Sequence, residues 1–124
     1  MLKTVFLLEP DVVLAKAYAY ELSKFCDVHT FYTAETAIKA FEVGVPDIVV
    51  LELALPSHGG FEFLYEMISY SDTAEVKVVI NSSVQPEAIP WGYINGGDLQ
   101  IIKHLYKPKS TPTELLDTVE EALR

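Results

Sequence analysis

Short apolar runs recur along this chain with helical-period segments between them: TVFLL at 4–8, DIVVLEL at 47–53, VKVVI at 76–80 and IIKHLY at 101–106. Short runs rich in Val, Ile and Leu fit strands covered on both faces, the environment of a parallel sheet. DVHTFY reads as one further strand. Between the strands the period becomes that of a helix. Leu14, Tyr18, Leu22 and Phe25 place an amphipathic helix over DVVLAKAYAYELSKF. AETAIKAFEV follows Thr33 as N-cap and meets Gly44 as its C′ stop. FEFLYEMISY carries Phe61, Leu64, Tyr65 and Ile68 at helical spacing. PTELLDTVEEALR opens with a Thr111–Glu114 capping box and has Pro112 at its first position. Strands separated by single helices require crossover connections, which predicts an α/β fold: a mostly parallel sheet with helices on both faces.

One segment breaks the rhythm. In SSVQPEAIPWGYINGGDLQ, Pro86, Pro90 and Gly96–Gly97 interrupt any long helix. A loop is expected there, with at most a short helix beginning near Asn95 or Asp98. Trp91, Tyr93 and Ile94 in this segment either pack over the sheet or form an apolar patch for a partner.

The 124 residues suit one domain, spanning 1–124, with no repeat or linker. The N-terminal MLKTVFLLEP meets acid at once and reads as a strand, not a signal peptide. No apolar run approaches the roughly 18 residues of a membrane span, so no membrane partner is expected. A formal net charge of −9 opposes non-specific binding to nucleic acid, which needs a basic footprint. Cys26 is the single cysteine. It excludes an internal disulfide, suits a reducing cytoplasm, and reads as a small hydrophobe at the core's edge.

In an open parallel sheet, ligands bind beyond the carboxyl ends of the strands. The residues following the apolar runs are therefore the candidates: Glu9-Pro10-Asp11, Glu52, Asn81-Ser82-Ser83 and Lys107-Pro108. Acids, hydroxyls and a lysine converge on one edge, where Glu52 should enter a shared polar cleft and pair with Lys107.

These residues, in this order, resemble the receiver domain of two-component response regulators over nearly the whole chain. The resemblance rests on LLEPD, on PDIVVLELALPSHGG with its LP-x-x-x-G tail, on VVINSS and on HLYKP. It implies a flavodoxin-like, doubly wound five-stranded sheet in order 2-1-3-4-5. It also implies a part in phosphorelay signalling, with a sensor kinase's phosphohistidine as phosphoryl donor. In that family the third strand ends in a phosphoacceptor aspartate, and two acids after the first strand hold magnesium. A Ser or Thr hydroxyl contacts the phosphoryl group, and the lysine neutralises it. The chemistry is that of a carboxylate nucleophile with positive charge and donors around the transferring group.

This chain departs from the pattern on the nucleophile and metal side. Glu52 stands at the acceptor position, while Glu9 and Pro10 fill the two acidic positions, Asp11 lying one residue further on. Ser82 and Lys107 match the phosphoryl-contact positions. The extra methylene moves the carboxylate about 1.5 Å toward Lys107 and Ser82. A displacement of about 1 Å from attack geometry can cost roughly 10²-fold in rate. Magnesium tolerates little rearrangement of its octahedral shell. No metal is therefore expected, Glu9 and Glu52 being weak candidates, and no catalytic residue is assigned. The expected molecule is an atypical, single-domain receiver, not an enzyme. It would act through protein contacts with a sensor kinase or a downstream effector, with a homodimer allowed. His104 occupies the switch position, and Pro108 is a candidate for a cis peptide bond.

Plainer readings stand beside these. Glu52 and Lys107 can be a structural ion pair. Asp11 fits a helix N-cap better than a metal ligand. Ser82 can satisfy backbone groups, and His104 can be an ordinary strand residue. Ser57-His58 reads as exposed loop, and Gly59-Gly60 and Gly96-Gly97 as turns. Two other functions are carried: a magnesium-dependent, phosphorylatable receiver, and a flavodoxin-like small-ligand binder, which the acidic turn after the first strand opposes.

Overall fold

The computed structural model describes residues 2–57, 59–89 and 100–124. Strands β1 (Thr4–Leu8), β2 (Asp27–Phe31), β3 (Ile48–Leu51), β4 (Lys77–Ser82) and β5 (Gln100–Tyr106) alternate with helices α1 (Val12–Leu22), α2 (Ala34–Phe41), α3 (Gly60–Ser69) and α4 (Pro112–Ala122). Short 3₁₀ turns lie at Pro86–Ala88 and Lys107–Lys109. All strand pairs are parallel, in order β2-β1-β3-β4-β5. The doubly wound topology is as expected.

Alternation along the strands divides the core between the two sheet faces. Phe6, Leu8, Val49, Leu51, Val78 and Ile80 pack with Phe63, Leu64 and Met67 of α3 and Ala37 of α2. Val5, Leu7, Ile48, Val50 and Val79 pack with Tyr18 and Leu22 of α1 and Leu115 and Val119 of α4. A register shift between Val78 and Val79 pairs them with Ile101 and Lys103, leaving Ile102 as the additional residue and 44% exposed. Because a one-residue slip exchanges the faces of a strand, this bulge decides that Leu105 enters the α1/α4 core. Among the described residues, no helix is long and apolar enough to cross a membrane.

Several local expectations change. Helix α1 ends at Leu22 rather than Phe25; the amides of Phe25 and Cys26 turn back onto the Leu22 carbonyl, and Asp27 then bonds Lys3 to start β2. Gly44 is not a left-handed stop, since no described glycine has positive φ. Glu42 is the C-cap of α2, and the Gly44 amide donates to the Ala40 carbonyl. The buried stripe of α3 is Gly60, Phe63, Leu64 and Met67, with Tyr65 43% exposed. The helix is apolar on several sides, so its rotation is set by its entry. A Cβ on Gly60 would lie 2.5 Å from Leu53 Cα, and the Gly60 amide bonds the Leu53 carbonyl at 2.8 Å. No described peptide bond is cis, so the bond before Pro108 is trans, the lower-energy form for most X–Pro bonds. Pro108 sits inside the 3₁₀ turn Lys107–Lys109, where its fixed φ is at home. The expectations for Trp91, Tyr93, Ile94, Asn95, Gly96–Gly97, Asp98 and His58 lie outside the described residues.

Candidate functional site

The parallel register aligns Leu8, Leu51, Ile80 and His104 across four strands. The next residues of β1 and β3 are Glu9 and Glu52, each still tied by one ladder bond: Glu9 N–H to the Phe31 carbonyl and Glu52 N–H to the Leu8 carbonyl, both 3.0 Å. Two carboxylates are thereby set side by side at the carboxyl edge. Lys107, immediately after β5, reaches across to both. Its Nζ donates to Glu52 Oε1 at 2.8 Å and to Glu9 Oε1 at 2.5 Å. Both glutamates are almost fully buried, at 2% and 3% exposure, with the lysine side chain at 15%.

Glu52 is saturated with donors. Oε1 accepts from Lys107 Nζ, from the Ser83 amide at 3.0 Å and from the Ser83 hydroxyl at 3.2 Å. Oε2 accepts from the Ser82 hydroxyl and from the Ala54 amide at 3.1 Å. A carboxylate offers about four lone-pair sites. All are engaged. Ser82 is itself fully buried, and its oxygen also accepts from the Val84 amide at 3.0 Å.

Burial alone would raise the Glu52 pKa, but hydrogen bonds from Lys107, Ser82, Ala54 and Ser83 outweigh it and bring it below the ordinary glutamate range. Burial likewise works against the charged Lys107, yet Glu52 and Glu9 hold its ammonium above the usual lysine range. His104 is half-buried, and desolvation lowers its pKa against the opposing pull of Glu52, Glu87 and the Val84 backbone. Cys26 is buried, and burial pushes its thiol up to about 11. It is the small core residue its setting implied.

Asp11 belongs to the backbone. Its Oδ1 accepts from the amides of Val13 and Leu14 as the N-cap of α1, while its own amide donates to Glu9 Oε2 at 3.1 Å. Glu9 therefore spends one oxygen on Lys107 and the other on the turn that carries Pro10. Ser57 lies exposed in the loop after β3 with a left-handed φ of 64°.

The structure thus brings Glu9, Glu52, Ser82 and Lys107 together and turns Asp11 aside. Ser83, named with Asn81 and Ser82 at the end of the fourth strand but given no role of its own, supplies both an amide and a hydroxyl to Glu52. Sequence reasoning missed the Ala54 amide, which carries no side-chain signal at all. Glu9 was read with the acidic cluster, and its direct bond to Lys107 emerges only from the register.

No family model matches the chain. Over 102 residues, 82% of this chain, it is 28% identical to the transcriptional regulatory protein CiaR of Streptococcus pneumoniae (strain ATCC BAA-255 / R6). The chain spans less than half, 45%, of that curated relative. Among solved structures, a CheY-like response regulator receiver domain protein from Methanospirillum hungatei JF-1 is similar with a TM-score of 0.84 at 18% identity, covering 99% of this chain and 94% of that one. The chemotaxis response regulator CheY4 of Vibrio cholerae gives 0.84 at 18% identity over 98% and 99%. The BeF3-activated DrrB receiver domain gives 0.79 at 22% identity over 99% and 98%. The architecture is that of response-regulator receiver domains.

Proposed function

We propose that residues 1–124 act as one atypical receiver domain in phosphorelay signalling, working in the cytoplasm through contacts with a sensor kinase or a downstream effector. In this reading Glu52 replaces the phosphoacceptor aspartate and stands where a phosphoryl group would otherwise be held. One observation carries it: the Glu52 carboxylate is bonded by Lys107 and by the Ser82 hydroxyl, the groups that the receiver resemblance assigns to the phosphoryl oxygens. The likeness is partial, since a carboxylate brings one negative charge and two oxygens against nearly two charges and three oxygens.

The same bonding argues against chemistry at Glu52. A nucleophile needs a lone pair aimed at the electrophile. Every lone pair here faces a donor of the chain. The acids also fit magnesium poorly. The oxygens of Glu9 are turned to Lys107 and the Asp11 amide. Magnesium in this kind of site takes one or two carboxylates and keeps several waters. The Glu9 and Glu52 oxygens are aimed at protein donors instead.

The test is incubation with acetyl phosphate and magnesium followed by intact-mass measurement. The wild-type chain should show no phosphoryl-sized gain. A gain that disappears in Glu52→Ala would make the site a competent phosphoacceptor and overturn the proposal.

A further inference from the structure

At the opposite end of the sheet from Glu52, the C-terminal ends of α2 and α3 enclose a cleft of about 250 Å³. Its walls are Ile38, Phe41 and Tyr70, and its rim carries Glu42, Glu66 and Asp72. The volume falls below the roughly 300–1,000 Å³ of small-molecule sites and suits one inserted side chain.

The placement of the acids runs against the chain's own helices. Glu42 is the C-cap of α2, Glu66 lies in the last turn of α3, and Asp72 follows directly. Helix C-termini carry partial negative charge from their open carbonyls, so cations are stabilised there and acids are not. Helix α3 has no basic residue in its last turn. Among the described residues, none of these acids is in an ion pair. The end of α3 and three acidic side chains thus face an apolar cleft, with Lys39 in the last turn of α2 as the basic residue at the α2 end. Acids set against a helix C-terminus that has no basic residue of its own, as at α3, break a local rule, and such breaks mark functional surfaces.

We infer that this cleft docks an arginine side chain presented by a basic segment of a partner protein. The stem would lie against Ile38 and Phe41, the guanidinium plane would stack on Tyr70, and the acids would receive its N–H groups. Arginine suits this better than lysine because its flat, weakly hydrated cation both stacks on aromatic faces and bonds carboxylates. The net charge of −9 would steer a basic partner inward. The inference is independent of whether Glu52 is ever phosphorylated.

The probe is a capped Gly-Arg-Gly-Arg-Gly peptide titrated into the nitrogen-15-labelled chain, with a citrulline version as neutral control. The amides of Phe41, Glu66, Tyr70 and Thr73 should shift together and saturate with the arginine peptide only. The double substitution Glu42→Gln with Glu66→Gln should weaken binding about tenfold, corresponding to 1.4 kcal/mol. It should melt no lower than wild type, since it removes acids from helix C-termini. Shifts scattered over the whole acidic surface, binding unaffected by the substitutions, or a lowered melting temperature that makes the acids structural would each overturn the inference. Peptide-free shifts that grow with protein concentration and vanish in the double variant would assign the cleft to a second copy of the chain and overturn it too.

Discussion

Glu52 and Lys107, fifty-five residues apart in sequence, meet at 2.8 Å inside the carboxyl edge of the sheet. The contact is not a simple pair, because the same ammonium also holds Glu9. Removing the lysine therefore strands two buried carboxylates at once. Breaking a buried pair by deleting one partner costs about 3–5 kcal/mol. Lys107→Met should lose stability of that order in urea unfolding. Adding Glu9→Gln and Glu52→Gln to it should recover much of the loss. A loss below about 1 kcal/mol would mean that water already screens the triad.

The two serines beside Glu52 should differ in weight. Ser82 is fully buried and its hydroxyl donates to Glu52, whereas Ser83 is exposed and supplies an amide that survives substitution. Hydrogen bonds to charged groups contribute about 1.5–3 kcal/mol. Ser82→Ala should lose stability within that range, and Ser83→Ala under about 1 kcal/mol, by the same unfolding measurement. Equal losses would refute the assignment.

Stability should depend on pH with a plateau bounded by four groups, Glu52, His104, Cys26 and Lys107. Glu52 binds its proton more weakly when folded, so its stabilisation is present above the ordinary value of 4.5 and is lost as pH falls through its lower folded value. Lys107 binds its proton more tightly when folded, so its stabilisation is present below 10.5 and is lost as pH rises through its higher folded value. Burial lowers the His104 pKa, so below 6.5 the unfolded chain takes up a proton that the folded chain resists, and stability begins to erode. The buried Cys26 thiol, pushed up to about 11, keeps its proton when folded, so stability also declines as pH rises above the ordinary 9.0. Thermal melts across pH should be flattest between about 6.5 and 9. Glu52→Gln should flatten the acid limb and His104→Gln the step near neutrality.

Asp11 separates a capping role from a metal role. Its carboxylate accepts from the first-turn amides of α1. Asp11→Ala should cost about 1 kcal/mol, and Asp11→Asn should retain most of the stability because the amide oxygen still caps. If Asp11→Asn instead matched Asp11→Ala while magnesium raised the wild-type melting temperature, a metal role would replace the cap.

Gly60 tests the entry of α3. With its would-be Cβ 2.5 Å from the Leu53 backbone, no side-chain rotation relieves the overlap. Gly60→Ala should cost about 1–3 kcal/mol as α3 is pushed off the sheet. Gly59→Ala, with open space at its Cβ, is the matched control and should change little.

The sequence by itself determined the order of elements, the parallel sheet and the list of polar residues at its carboxyl edge. Apolar runs, helical spacing and the caps Asp11, Thr33 and Thr111 are local signals, written in neighbouring residues. Tertiary structure decided which of those polar residues share bonds. The rotation of α3 depended on a backbone contact between Gly60 and Leu53, and the side from which Leu105 enters the core depended on one extra residue at Ile102. Lys107 reaches Glu9 as well as Glu52 because strand register set two carboxylates within one ammonium's span. The Ser83 and Ala54 amides complete the shell as backbone donors, which carry no residue-specific mark. Distances between strands belong to the sheet, not to any stretch of chain.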